Sequence, residues 1–158
     1  MAICKAKELA AYIKNEYSTK YNIEVSPIKM QKSLYFCLAF WGGFIRKGKS
    51  TEQKEMSFDY DETLFDERIE AWIYGPVVVD VYKEENIDNY YKENLFAGNE
   101  CAKEFIDDVL NDISGVSDFR LVDRSHLDSS WINHFDINDT VHNKRIPQEE
   151  IIEEYARR

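Results

Sequence analysis

A chain of 158 residues that is 44% hydrophobic and 14% aromatic, with three prolines and six glycines, holds too many large apolar side chains for a disordered segment and has the length of one hydrophobic core. Its net charge of −10 is unevenly placed: nine Lys/Arg face three Glu in residues 1–50, and eleven Lys/Arg face 27 Asp/Glu thereafter. That balance excludes the broad basic footprint of an ordinary nucleic-acid binder and favours basic partners.

No apolar run reaches the ~20 residues that cross a bilayer, and the N-terminus lacks an apolar stretch followed by a small-residue cleavage site. The expectation is a cytoplasmic protein, away from membranes, forming one domain over residues 1–158. Ile3, Ala6, Leu9, Ala10, Ile13 and Tyr17 recur at helical spacing and open the chain with an amphipathic helix. Ser26 as cap and Pro27 at the first helical position start a second helix. From Leu34 to Trp41 it is apolar on every side, which marks it as the central helix. Gly42 and Gly43 either admit another element closely or begin its end, and Gly48 is the expected stop.

Met56, Phe58 and Tyr60 alternate as an edge strand does, so a short strand is expected around residues 56–60. A second is expected around residues 68–74, where Ile69, Ala71 and Ile73 alternate with Glu70, Trp72 and Tyr74 before Gly75-Pro76. Propensity makes Val77-Val78-Val79 a strand, whereas Pro76 ahead of Asp80, Lys83 and Glu84 opens a helix equally well. Ala102, Phe105, Ile106, Val109, Leu110 and Ile113 form one face of a clear helix, with Asn99 as cap and Gly115 as a left-handed terminator. Ser117 caps a short helix, a second short turn or helix carries Trp131 and Phe135, and Pro147 to Tyr155 is a last helix with Ile151, Ile152 and Tyr155 inward. The fold class is therefore mainly α, a compact helical domain with a small β element.

The residues that could carry chemistry are few. Cys4, Cys37 and Cys101 are odd in number and contain no C-x-x-C, which points to structural thiols, and Cys37 inside an all-apolar helix would be a poor nucleophile. His126, His134 and His142 fall eight apart, not at the i, i+4 spacing that seats a metal on one helical turn, so no metal and no cofactor is expected. Ser125, His126 and Asp128 hold the residue types of a triad, but sequence neighbours rarely face one another as a triad must. Neither "WGGF" nor "YGPV" has the lysine and serine of a phosphate loop. Trp72, Tyr74, Tyr82 and Trp131 remain, residue types enriched at interaction hot spots.

Three stretches form a recognisable series: Met30-Gln31-Lys32-Ser33-Leu34-Tyr35, then Glu70-Ala71-Trp72-Ile73-Tyr74-Gly75-Pro76-Val77, then Ser125-His126-Leu127-Asp128-Ser129-Ser130-Trp131. Over nearly the whole chain this resembles the Panacea domain, the SocA-like, phage-associated antitoxin family. That family has a Leu-Gln-Lys-Leu-Leu-Tyr-type run, an Ala-Trp-x-x-Gly-Pro-Val segment and a Thr-His-x-Glu-x-Pro-Trp motif. Ser125 stands where the family usually has Thr, and Ser130 where it has Pro. The resemblance implies a mostly helical fold with a helix after the Gly-Pro, which places Val77 to Glu84 in a helix.

It also implies a non-enzymatic protein that neutralises a protein toxin or effector by direct binding, with some members acting as adaptors to a protease. Trp72, Tyr74, Gly75, Pro76, Tyr82, His126 and Trp131 are then the candidate partner-binding set. The partner's contact surface is expected to be basic, and a homodimer is left open. The alternatives are a phage-encoded inhibitor of a host immune nuclease, of anti-CRISPR type and in one form an acidic mimic of nucleic acid, and a hydrolase using His126 with Asp128 or Asp123.

Overall fold

A computed structural model describes residues 1–49, 60–138 and 144–158. The expected strand at 56–60, except Tyr60, and His142 lie outside the described residues. The chain begins with α1, Ala6–Tyr21, started by the Lys5 amide donating to Glu8 Oε1 at 2.9 Å. It ends at Asn22, whose φ of 52° is the left-handed cap conformation. The apolar stripe read from the sequence is its buried face, with Leu9, Ala10, Ile13 and Tyr17 fully enclosed.

The central helix is α2, Pro27–Lys49, with the Lys29 amide bonded to Ser26 Oγ at 3.0 Å as the capping argument required. Leu34 to Ala39 and Trp41 are buried, while Phe40 is partly exposed, a departure from burial on every side. Gly48 does not stop the helix, which passes through it. Gly42 and Gly43 serve the close approach: an added Cβ would meet Ile152 Cγ1 at 2.6 Å and Tyr155 Cβ at 2.7 Å. The partner at that shelf is α7, Gln148–Ala156, which buries Ile151, Ile152 and Tyr155 as expected.

Between α2 and α7 in the chain, the described residues form a three-stranded antiparallel sheet in the order β2-β1-β3, with β1 Ile69–Trp72, β2 Gly75–Val78 and β3 Arg145–Ile146. Trp72 pairs with Gly75 and Ile69 with Val78, so Ile73 and Tyr74 are the two-residue loop of a tight hairpin. This corrects the helix expected from Val77 to Glu84. Val77 and Val78 are strand, and only Val79–Tyr82 forms the short helix α3. The β-branched run prevailed because it fits between sheet and helix α2, where Val77, Val78 and Val79 are all buried. Ile73 likewise does not continue the inward alternation of Ile69 and Ala71; being in the loop, it is exposed.

After a 3-10 turn at Ile87–Tyr90, α4 spans Glu100–Ser114 and packs Ala102, Ile106, Leu110 and Ile113 against the core. The Asn99 side chain makes no capping bond and Gly115 has φ −91°, so neither terminator works as expected. Phe105, set to one side of that face, stacks on Phe44 at 4.9 Å. Then come α5, Asp118–Ser125, capped by Ser117, and α6, Ser129–Ile132.

Candidate functional site

The hairpin is held by side chains from two distant parts of the chain. Its backbone carbonyls are the anchor points. Trp131 Nε1 donates to Trp72 O at 2.8 Å and His126 Nε2 donates to Ile73 O at 3.0 Å. From α2, Lys32 Nζ donates to Pro76 O at 3.1 Å. Gln31 forms a reciprocal pair with Val78: its Nε2 donates to the carbonyl at 3.2 Å and its Oε1 accepts from the amide at 2.7 Å. The sequence explains the geometry. Gln31 and Lys32 are neighbours on the helix that backs β2, and His126 at the end of α5 and Trp131 within α6 lie on either side of the turn that brings their rings into a stack 4.1 Å apart.

Gly75 is required at the centre of this arrangement. It carries φ +111°, and a Cβ there would lie 2.5 Å from Ser125 Oγ and 2.7 Å from Lys32 Nζ. Lys32 is 1% exposed, and among the described residues no carboxylate pairs with it. Burial in apolar surroundings pulls its ammonium down to about 8.

Asp128, also enclosed, is reached from α2 by Tyr35, one turn after Lys32. Its Oδ2 accepts from Tyr35 at 2.5 Å and Tyr155 at 2.6 Å, and its Oδ1 from Arg158 at 2.9 Å and Arg124 at 3.2 Å. Burial, with Tyr155 and Asp128 nearby, pushes the Tyr35 hydroxyl well above the ordinary phenol range. Glu154 on α7 accepts from the Ser129 and Ser130 amides and so caps α6.

The candidate partner-binding residues all fall on or around the hairpin, in three settings. Gly75 and Pro76 are buried. Trp72, His126 and Trp131 are half-buried, Trp131 stacking also on Phe135 at 4.7 Å. Tyr74 and Tyr82 are exposed, Tyr82 edge-on to Trp72 at 4.7 Å and Tyr74 facing Phe119 of α5 at 6.5 Å. Gln31 and Lys32 stood in the first signature stretch but not among the candidate binding residues, and Phe119 was not singled out at all.

Ser125, His126 and Asp128 do not converge. Ser125 Oγ donates to Val122 O, His126 is engaged by the hairpin, and Asp128 is occupied by tyrosines and arginines. His134 pairs with Glu150, and among the described residues no three His, Cys, Asp or Glu converge as metal ligands. Burial raises the Cys4 thiol to about 12 and lifts Cys37 further, the opposite of an activated nucleophile.

The family model described as antitoxin SocA-like, Panacea domain matches residues 52–132. The chain belongs to this family. The Panacea match takes in the hairpin, α3 to α6 and both motifs that clamp the hairpin from within it, while Gln31 and Lys32 precede it. Comparison with curated proteins and with solved structures gave no match. Among the described residues no helix is long and apolar enough to cross a membrane. The family points to an antitoxin-type, non-enzymatic role.

Proposed function

We propose that this Panacea-family chain neutralises a protein toxin or effector in the cytoplasm by direct, non-enzymatic binding, with residues 1–158 acting as one unit and the hairpin region as its contact site. The observation that carries the reading is the rigid support of a loop whose own side chains face solvent: four carbonyls of a single hairpin are held by Trp131, His126, Lys32 and Gln31. A preorganised loop loses little conformational freedom on binding, which favours affinity. The acidic composition of residues 51–158 supports a basic partner and fast, salt-sensitive association.

An acidic mimic of nucleic acid is the weaker reading. Glu149, Glu150, Glu153 and Glu154 of α7 are already paired with Arg46, His134, Arg157 and Arg158, which leaves them poorly suited to a basic groove. The test is a tagged pull-down from the cells from which the gene comes, followed by co-expression with the captured protein where that protein is toxic when expressed alone. Growth should be restored, and the two proteins should co-elute as a complex whose association rate falls as salt rises. Restored growth without a complex would sink direct binding.

A further inference from the structure

We infer that the surface meeting the partner is the hairpin tip, Ile73 and Tyr74, together with Phe119 of α5, and that it takes a protein segment with an apolar ridge flanked by Lys or Arg. This rests on the binding reading above and specifies its residues and its partner chemistry. Ile73, Tyr74 and Phe119 are 59%, 54% and 64% exposed, high values for three large apolar side chains drawn together from two separate elements. The Tyr74 and Phe119 rings face each other edge to face, so the patch is continuous across the gap between hairpin and α5. Exposed apolar surface of this kind marks an interaction site rather than a packing remainder.

The remaining motif residues then have a different task. Gly75, Lys32, His126 and Trp131 position the tip through its backbone, and their side chains are turned to that work. Among the described residues the tip side chains make no hydrogen bond or ion pair, and Tyr74 meets only the ring of Phe119.

The charge around the patch selects the partner. Among the described residues, the charged side chains of α3, the turn after it and α5 that make no ion pair are Asp80, Glu85, Asp118 and Asp123 against Lys83 and Arg120; Asp118 and Arg120 flank Phe119 in the chain, and Asp118 Oδ2 also accepts from Ser26 Oγ at 2.5 Å. An apolar patch with an acidic rim attracts a segment whose own rim is basic and repels an acidic one. The same rim repels nucleic acid.

The experiment places the photo-crosslinker p-benzoylphenylalanine at position 74 or 119 of the full chain, in the cells from which the gene comes. Position 91, another exposed aromatic, serves as the reference. The expected result is one protein captured at least ten-fold more strongly from 74 and 119 than from 91. Mass spectrometry of the crosslinked peptide should place apolar residues between lysines or arginines. Capture from 119 should fall at least ten-fold in Ile73→Ser/Tyr74→Ser, with thermal unfolding unchanged. In His126→Ala, capture should fall together with faster amide exchange confined to the hairpin. Equal capture from all three positions, or an acidic crosslinked peptide, would overturn the assignment. If the captured protein is harmless when expressed alone, the surface stands and the antitoxin reading fails.

Discussion

Lys32 and Asp128 are both enclosed charges beside the central helix, yet the protein treats them in opposite ways. Asp128 receives four donors, two from tyrosine hydroxyls and two from arginines, so its charge is fully compensated where it lies. Lys32 donates one hydrogen bond, to the carbonyl of Pro76, and among the described residues it has no counter-charge. A compensated buried ion consolidates the elements that supply its donors. An uncompensated one costs stability and persists only where its geometry serves something else. Asp128 joins α2, α5 and α7 into one body, whereas Lys32 fixes the shape of a loop.

The contrast can be broken most forcefully at Asp128. Asp128→Ala leaves two buried tyrosine hydroxyls and two guanidinium groups without their acceptor, and should lower stability by about 3–5 kcal/mol in urea unfolding. Asp128→Asn keeps the shape and should lose less. If Asp128→Ala cost under ~1 kcal/mol, the carboxylate would not be the junction described.

Lys32 gives the opposite sign. Its folded value of about 8 lies below the ordinary 10.5, so between those two pH values the unfolded chain binds more protons than the folded one, and stability rises with pH. Against Lys32→Met, wild type should therefore gain on the order of 2–3 kcal/mol from pH 7.5 to 10, in parallel urea titrations. The comparison with Lys32→Met matters because Cys4, Tyr35 and Tyr155, all raised by burial, remove stability in the same alkaline range. At pH 7 Lys32→Met should unfold no earlier than wild type. A flat difference across that pH range would mean that Lys32 is solvated.

A smaller effect separates the two centres further. Gly75→Ala places a Cβ against Ser125 and Lys32 at a positive φ and should cost about 2 kcal/mol. That cost should shrink in a Lys32→Ala background, because the ammonium is one of the two groups met. Equal costs in both backgrounds would show that Lys32 does not set the hairpin. Smallest is Arg158→Ala, which removes one donor of four from Asp128 and should lower stability by about 1 kcal/mol or less, read as a modest drop in Tm.

The sequence made the helical frame legible because each helix repeats its apolar residues at helical spacing and the core follows that spacing. α1, α2, α4 and α7 fall where periodicity puts them, and at α2 the Ser26 cap works as read. The valine run was legible too, but the helix that the resemblance implied after Gly-Pro overrode its β propensity, and the strand at Val77 and Val78 follows the propensity instead. The site was half legible. Trp72, Tyr74, His126 and Trp131 do gather at one hairpin, yet nothing in their spacing tells which rings hold the backbone and which face water. Lys32 was hidden for a physical reason, since a lysine on a helix is normally solvated. The available signal was its place one turn before Phe36 and two before Ala39 or Phe40, on a row that is otherwise apolar. Asp128 looked like a turn residue because its donors, at 35, 124, 155 and 158, are mostly far away in sequence.

The shelf of Gly42 and Gly43 bears on how this protein can be divided. By letting α7 seat directly on α2, it brings Tyr155 and Arg158 to Asp128, and Arg46 to Glu149 and Glu153. Asp128 belongs to the segment that matches the family, but three of its four donors, Tyr35, Tyr155 and Arg158, do not. A fragment trimmed to residues 52–132 would carry the hairpin motif away from Lys32 and Gln31 as well. For anyone grafting this hairpin onto another scaffold, the portable unit is the hairpin with α2 and α7, not the stretch that carries the signature.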